Sequence, residues 1–325
     1  MSRWVINFSG DCQQQQREIY NCLSEETDFV DWLALSFIGA AAFAATGIID
    51  KLFLGRFVRE PLAYLAALVI MQQALVLAIP FYLGWGWVYP QTLYALATGS
   101  FQVILWAAYL RALQQEETSR IAALVYVFPV FVFLGSFLFL GESLQAEDYA
   151  GGALLVSGAV LVSYRSGRQA SQSISPALKY MAVFWIFSAA YALAAKYLLG
   201  FMTEWHLLLW SSLGGFLAIL PVLWPKEMRR EWTAYFHGGA FILLALLANE
   251  ILDFLGRAAF IFAYGHGSVA LVSSLAALQP FITLFYILLL SIFYPGLLAE
   301  QMDGKSLALK AAAFFLIVAG VYLVS

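Results

Sequence analysis

Charged residues are scarce in this chain: Asp, Glu, Lys and Arg make up 11% of its 325 residues, whereas hydrophobic residues make up 62%. A soluble core of this length has no room for that much apolar surface, so the composition predicts an integral membrane protein. The few charges sum to −3 at neutral pH. Nucleic-acid binding requires a clustered basic face, so a nucleic-acid partner is not expected.

Cysteine is almost absent: the only two, Cys12 and Cys22, lie in the polar N-terminal segment. Neither a disulfide framework nor a cysteine metal site is indicated, although the two can pair if this segment lies outside the cell. The histidines, His206, His237 and His266, lack the paired His/Glu spacing of a zinc site. No complete Gly-x-x-x-x-Gly-Lys-Ser/Thr phosphate loop is present, so we predict no metal, no bound cofactor and no ATP-driven step.

We also expect no cleavable signal peptide, because residues 1–28 are polar and glutamine-rich and lack its apolar core. What the chain has instead is a series of apolar runs, each long enough to cross the roughly 30 Å of hydrocarbon in a bilayer. The ten runs are 31–55, 61–83, 90–113, 119–140, 147–164, 176–199, 203–224, 238–264, 267–292 and 306–325. Lipid offers backbone groups no partners, and no barrel-like alternation appears, so we predict an all-α polytopic membrane protein with ten transmembrane helices.

The chain contains an internal repeat. Residues 107–163 pass through a polar break into an apolar helix centred on Pro129 and then into a closing helix. Residues 258–325 pass through the same series around Pro280. Each half therefore holds five helices. Because five is odd, the second half must cross the membrane in the opposite sense, which predicts two inverted five-helix repeats and a site near the midplane between them.

The first and sixth runs support this division, because they end alike in Lys-Leu-Phe-Leu-Gly at 51–55 and Lys-Tyr-Leu-Leu-Gly at 196–200. Thirteen of the 17 basic residues fall on one predicted side of the membrane. Since cytoplasmic loops are enriched in Lys and Arg, we expect both termini outside. The predicted organisation is a polar tail at 1–30, a first repeat at 31–165, a linker at 166–175 and a second repeat at 176–325.

A family resemblance is carried by motifs of the first repeat. They are Tyr109-Leu-Arg-Ala-Leu, Ser119-Arg-Ile-Ala, Pro129-Val-Phe, Phe139-Leu-Gly-Glu-Ser-Leu and the helix 152–163. In order and spacing these motifs closely resemble the EamA-type repeat of the drug/metabolite transporter superfamily. The second repeat matches less closely, because residues 294–300 replace the Gly-Glu turn of the first.

The resemblance implies a secondary carrier or exporter with a central cavity lined by helices of both halves and with no cofactor. Members of this superfamily carry amino acids, nucleotide sugars, phosphorylated sugars and drugs, so the substrate stays open. We predict an exporter or exchanger of small polar metabolites such as amino acids, working by alternating access, with proton coupling as an option. We expect a monomer or homodimer in the inner (plasma) membrane of a bacterium, its partners being the metabolite, protons and the lipid bilayer. The alternatives are a membrane enzyme acting on a lipid-linked substrate and a non-transporting scaffold or sensor.

The most informative local feature is a group of three charges, Glu250, Asp253 and Arg257, inside the eighth apolar run. At 100° per residue they fall within about 60° of one another on one helix face. A charge at the bilayer centre costs roughly 2.5 kcal/mol or more, so this face should point into the bundle or a wet cavity. As a substrate and proton site, Arg257 would pair with an anionic group, and one of the two neighbouring carboxylates would carry an exchangeable proton. The alternative is an internal salt bridge between Asp253 and Arg257.

The corresponding positions in the first half are Gln102 and Trp106, which we predict to line the cavity opposite these charges; simple packing is the alternative for Trp106. The cavity would then be polar on both walls but charged mainly on one. Lys51 and Lys196 occupy matching places in the two repeats. Either each lysine gates its own mouth of the cavity, or both extend to the membrane interface.

Pro129 and Pro280 are expected near the middle of their helices, where each removes one hydrogen bond. They are predicted either as a pair of hinges beside the cavity or as static kinks. Asp50, next to Lys51, is expected at the interface. The Gln72-Gln73 pair is expected to bond to another helix rather than to a ligand.

Overall fold

The protein is described here by a computed structural model. The structure describes residues 32–115, 121, 124–142, 144–163, 177–237, 239–293 and 304–324. Helices account for the regular structure of these residues, and the described part of the chain contains no strand. The predicted tail with its two cysteines and the predicted linker at 166–175 lie outside the described residues.

The described helices follow the order of the predicted apolar runs. They are α1 (Trp32–Arg56), α2 (Pro61–Val76), α3 (Ile79–Leu83), α4 (Gln91–Gln115), α5 (Phe128–Gly135), α6 (Ala146–Ser163), α7 (Ala177–Leu198), α8 (Glu204–Ile219), α9 (Lys226–His237), α10 (Ala240–His266), α11 (Val269–Leu275), α12 (Gln279–Phe293) and α13 (Gly304–Val324). Short 3-10 or π turns extend three of them: Ser136–Leu140 after α5, Leu220–Leu223 after α8 and Ala276–Leu278 after α11.

The number of membrane spans is lower than predicted when only length and composition are counted. Within the described residues, six helical segments are long and apolar enough to cross a bilayer, or seven if the bent pair α9 and α10 is one span. The segments Phe128–Leu140 and Ala312–Leu323 are shorter apolar helices. The chain is thus a multi-pass helical membrane protein, and ten spans stay a prediction.

Both prolines lie at helix starts rather than at helix centres, which corrects their predicted position. Pro129 is the second residue of α5, after a turn at Tyr126–Val127, and Pro280 is the second residue of α12, after the 3-10 turn Ala276–Leu278. The first turn of a helix tolerates proline because its N–H groups have no intrahelical partner. The two apolar runs are therefore broken just before each proline.

The helices pair in a pattern that repeats between the two halves of the chain. Helix α1 packs against α10 as α4 packs against α7, and α2 contacts α10 as α8 contacts α4. Helix α1 also contacts α12 as α7 contacts α5, while α2 pairs with α8 and α6 with α13. Exchanging each helix with the one at the same place in the other half leaves this set of pairs unchanged.

Small residues allow the closest of these crossings. A side chain at Gly99 of α4 would collide with the backbone of Ser211 in α8, and one at Gly214 of α8 would collide with the backbone of Leu96. Gly39 of α1 lies against the ring of Phe260 in α10. The absence of side chains lets these backbones approach, as in other membrane helix pairs. The crossings bring α1, α2, α4, α8 and α10 around one common space.

Candidate functional site

A cleft of about 690 Å³, including the part that opens to solvent, lies between these five helices. Helices α1, α2 and α4 come from the first half of the chain, and α8 and α10 come from the second. Its polar lining consists of Thr46, Asp50, Tyr64, Gln72, Gln102, Ser212, Asn249, Glu250, Asp253 and Arg257. Apolar residues such as Val69, Val103 and Trp106 complete the walls.

Helix α10 contributes the charged wall, as its spacing predicts. Glu250 and Arg257 are only 3% and 7% exposed, and Asp253 lines the cleft between them. The three residues therefore share one face and turn it into the bundle. This arrangement follows from the cost of placing charges against lipid, since only an inward face offers them polar partners.

Arg257 joins two walls of the cleft. Its Nε lies 2.8 Å from Asp253 Oδ2, although this N–H is not aligned for a hydrogen bond. Its Nη1 donates to Gln102 Oε1 on α4 at 3.2 Å. The Asp253–Arg257 ion pair expected under the structural alternative is thus present. It does not use all of the guanidinium, because Nη2 has no hydrogen-bond partner among the described residues.

The two glutamines of α2 bond across helices, as predicted. Gln72 Nε2 donates to Asp253 Oδ2 at 3.2 Å, which adds a second partner to the carboxylate. Gln73 Nε2 donates to the Ser212 carbonyl on α8 at 3.4 Å. Gln72 also lines the cleft, so its contact with another helix and its access to a ligand do not exclude each other.

Asp50 is the main residue that the sequence analysis placed wrongly. Its carboxylate turns into the cleft, where Oδ1 accepts hydrogen bonds from Tyr64 Oη at 2.7 Å and Asn249 Nδ2 at 3.0 Å. A weak signal existed in its spacing, because Thr46 and Asp50 are four residues apart and share one face of α1. With Asp50, the first half of the chain also carries a charge, so the charges are not confined to one wall.

Several buried polar atoms around the cleft have no hydrogen-bond partner in the described part of the protein. On α10 these are Glu250 Oε2, Asn249 Oδ1 and Arg257 Nη2, together with Arg257 Nε, which faces Asp253 without an aligned hydrogen bond. Asn249 is 1% exposed, so bulk solvent does not reach most of its surface. A buried polar atom without a partner costs about 1–3 kcal/mol, so this set is typical of a site that binds a polar ligand or water.

The predicted residues of the opposite wall lie where expected. Gln102 is buried, lines the cleft and accepts the hydrogen bond from Arg257. Trp106 lines the same cleft and packs edge-on against Tyr109, with ring centroids 5.5 Å apart. Trp106 therefore combines a cleft position with packing, and the two alternatives for it are not exclusive.

Lys196 lies away from the cleft, at the end of α7. Its ammonium donates to the carbonyls of Tyr264 and Gly267, both at 2.7 Å, at the C-terminal end of α10. Carbonyls at a helix end lack intrahelical partners, and a lysine satisfies them well. Lys51, the matching residue of α1, is exposed and makes no hydrogen bond to the described residues.

Glu142 completes this second polar group. Its Oε2 accepts a hydrogen bond from Ser268 Oγ at 2.6 Å, and its Oε1 accepts one from the Val269 N–H at 3.3 Å. The residues Glu142, Lys196, Tyr264, Gly267 and Ser268 are called the Lys196 cluster below. The cluster ties together the ends of α7 and α10, the start of α11 and the turn after α5.

The two prolines are not part of the cleft lining. Pro280 follows Gln279, whose Nε2 donates to the Phe43 carbonyl of α1 at 3.2 Å. Of the two alternatives, hinges beside the cavity or static kinks, the first would put the prolines next to the cleft, and neither proline lines it. Their possible role as hinges therefore concerns the breaks in the two apolar runs rather than contact with a ligand.

These features define a class: multi-pass helical membrane proteins with a polar, partly charged cleft enclosed by helices from both halves of the chain. Residues 31–164 match the EamA-like transporter family. The matched segment coincides with the predicted first repeat, so the resemblance read from the motifs of that repeat is confirmed.

Structural comparison agrees at the level of the fold. A solved structure described only as "Crystal structure of protein" superposes with a TM-score of 0.64 at 15% sequence identity. The match covers 91% of this chain and 98% of that chain. At this identity the likeness concerns the fold alone. No curated protein matches the chain.

Proposed function

We propose that this protein is a secondary transporter that moves small polar metabolites, such as amino acids, across the membrane by alternating access. The family that residues 31–164 match consists of membrane transporters, which are generally not enzymes. The observation that carries the proposal is the buried face of α10, where Glu250 and Arg257 keep atoms without partners beside the cleft. Charged side chains inside a membrane bundle cost free energy, and those that are present usually line a solute or ion pathway.

The proposed architecture is ten spans in two inverted five-helix repeats, 31–165 and 176–325. It is supported by the helix pairs, which keep their pattern when the two halves are exchanged. It is also supported by the apolar runs of the sequence, because five predicted spans in each half would reverse the direction of the second. Transporters built from such repeats place the solute near the repeat interface, and the cleft is lined by helices of both halves.

Alternating access requires that one end of the pathway is closed while the other is accessible. The Lys196 cluster supplies a set of bonds for closure at one end of α10. Tyr264 lies 14 residues beyond Glu250, which is about 21 Å along the helix. We propose that Lys196 gates this end, and that Lys51 closes the opposite end in the other state by bonding to the end of α4.

Proton coupling fits the same cleft. Glu250 and Asp253 place two carboxyl groups three residues apart on one face of the cleft, and we propose that one of them carries the exchangeable proton. The breaks before Pro129 and Pro280 are proposed as hinges that let the halves rearrange. The remaining parts of the proposal are an export direction, outside termini and a bacterial inner membrane. They rest on the family and on the distribution of basic residues.

Reconstitution into proteoliposomes tests the proposed function. Proteoliposomes that contain the purified protein are loaded with a panel of radiolabelled amino acids, nucleosides and sugar phosphates. Both the flux and the chemical identity of each solute are measured. Flux without chemical change is the expected result, and Arg257→Ala should reduce it strongly while Lys179→Ala, at an exposed lysine of α7, should not. Product formation would instead indicate a membrane enzyme. Absence of both flux and product across the panel would refute the transporter.

A further inference from the structure

The charges that line the cleft are not balanced. Three carboxylates face it, from Asp50, Glu250 and Asp253, and the described lining contains a single cationic side chain, Arg257. Asp253 is the carboxylate that Arg257 neutralises, at 2.8 Å. Neither Asp50 nor Glu250 forms an ion pair within 4 Å with a cation of the described residues.

Asp50 is stabilised by neutral groups only. A phenol and an amide donate to its Oδ1, and neither Tyr64 nor Asn249 carries a compensating charge. Neutral hydrogen bonds orient a carboxylate without cancelling its charge. Asp50 is thus held in a fixed position facing the cleft, ready to accept a further, charged donor.

Glu250 interacts with Gln72, yet one of its carboxylate oxygens is unused. It is 3% exposed, and its Oε2 has no partner among the described residues. The neighbouring Asn249 uses its amide nitrogen on Asp50 and leaves Oδ1 unpartnered as well. Both unused atoms are acceptors, and the three N–H donors of an ammonium group are the complement that such a set lacks.

We propose that the cleft selects solutes that carry a protonated amine, which binds between Asp50 and Glu250. This inference rests on the proposed function, because it names the substrate class of the same cleft. A carboxylate on the same solute would meet the unused Nη2 of Arg257. Amines and amino acids therefore fit, whereas sugar phosphates and nucleotides place further negative charge beside three carboxylates, which opposes their binding in a low-dielectric site.

A binding panel of three-carbon solutes tests the charge requirement directly. Purified protein in detergent is titrated with propylamine, propionate, 1-propanol and alanine, and heats of binding and thermal stabilisation are recorded. Propylamine and alanine are expected to bind, and propionate and 1-propanol are not. Binding of propionate in preference to propylamine would overturn the inference.

Two variants test the residues. Glu250→Gln and Asp50→Asn should each weaken propylamine binding by at least about tenfold, since each removes a charge-assisted contact. Glu147→Gln, at an exposed carboxylate of α6, is the control and should bind as the unaltered protein does. Circular dichroism shows whether each variant is folded. Unchanged affinity in both folded cleft variants would place the amine elsewhere and overturn the inference.

The outcome separates this inference from the proposed function. If reconstituted protein carries sugar phosphates and no amine, the transporter stands and the amine selectivity is wrong. If amines bind through Asp50 and Glu250 but no solute crosses the bilayer, the selectivity stands and the transporter is wrong.

Discussion

Replacing Arg257 by methionine is the sharpest test of how the cleft is held together. The substitution keeps an unbranched apolar stem but leaves Asp253 without its ion-pair partner and Gln102 without its donor. Removing one member of a buried ion pair costs about 3–5 kcal/mol. The Asp253 side chain is 20% exposed, so water reaches part of it, and we expect roughly 2–3 kcal/mol.

The double variant Arg257→Met/Asp253→Leu gives the second arm of this experiment. It removes both charges together, so most of the lost stability should return. Unfolding in detergent micelles, followed by circular dichroism against increasing denaturant, measures each variant. Arg230→Met is the control, because its pairing with Glu231 spans 3.9 Å and its side chain is 80% exposed. No measurable loss is expected there.

Either of two results would refute this role of the Asp253–Arg257 ion pair. If Arg257→Met is as stable as the unaltered protein, the guanidinium does not hold Asp253 in the folded bundle. If the double variant is less stable than the single one, the cost does not come from an uncompensated carboxylate. In that case the residues would act through packing instead.

Three further predictions follow from other parts of the fold. Asp253→Asn should abolish the stimulation of solute flux by a proton gradient in proteoliposomes, and unchanged gradient-driven flux would remove Asp253 from coupling. Lys196→Met should release the end of α10. A cysteine at Ser273, in a background without native cysteines, should then react faster with an impermeant thiol reagent, whereas Lys179→Met should leave its rate unchanged. Gly99→Ala should prevent stable folding, since its Cβ would collide with the backbone of Ser211. A Cβ at Gly47 meets nothing within 4 Å, so Gly47→Ala should fold, and equal yields of the two variants would contradict the close crossing at Gly99.

The positions of the helices were largely predictable, because lipid leaves a spanning backbone few alternatives to a helix. The predicted run 176–199 appears as Ala177–Leu198, and the run 61–83 appears as α2 and α3. The charges on α10 were predictable for a related reason. An ionisable residue inside an apolar run is costly against lipid, so its presence alone indicates an inward face.

The partners of those charges were not predictable in the same way. The hydrogen bond between Asp50 and Asn249 joins residues 199 apart, and that between Arg257 and Gln102 joins residues 155 apart. Such contacts depend on the rotation of each helix about its axis. In a membrane the lipid-facing side is as apolar as the buried side, so hydrophobic periodicity gives little information on that rotation.

Asp50 shows the difficulty most clearly. It stands next to Lys51 near the end of α1, where a charge at the membrane interface costs little and indicates nothing. Adjacent helix residues point about 100° apart, so Lys51 is exposed while Asp50, one position earlier, lines the cleft. The bonds of Lys196 were not predictable for a similar reason, because they go to backbone carbonyls, which no sequence pattern marks.

Helix α10 links the proposed solute site to the proposed gate. It runs without a break from Ala240 to His266, with the cleft charges at its middle and the carbonyls held by Lys196 at its end. A ligand shifts a conformational equilibrium only by the difference in its affinity for the two states. Movement of α10 that opens the far end breaks the two hydrogen bonds of Lys196. Solute binding at Glu250 therefore favours opening only if the movement increases the binding free energy of the solute by more than the free energy of those two bonds. We therefore expect that a substitution of Lys196, which weakens the closed end, changes the affinity for the solute even though Lys196 does not contact the solute.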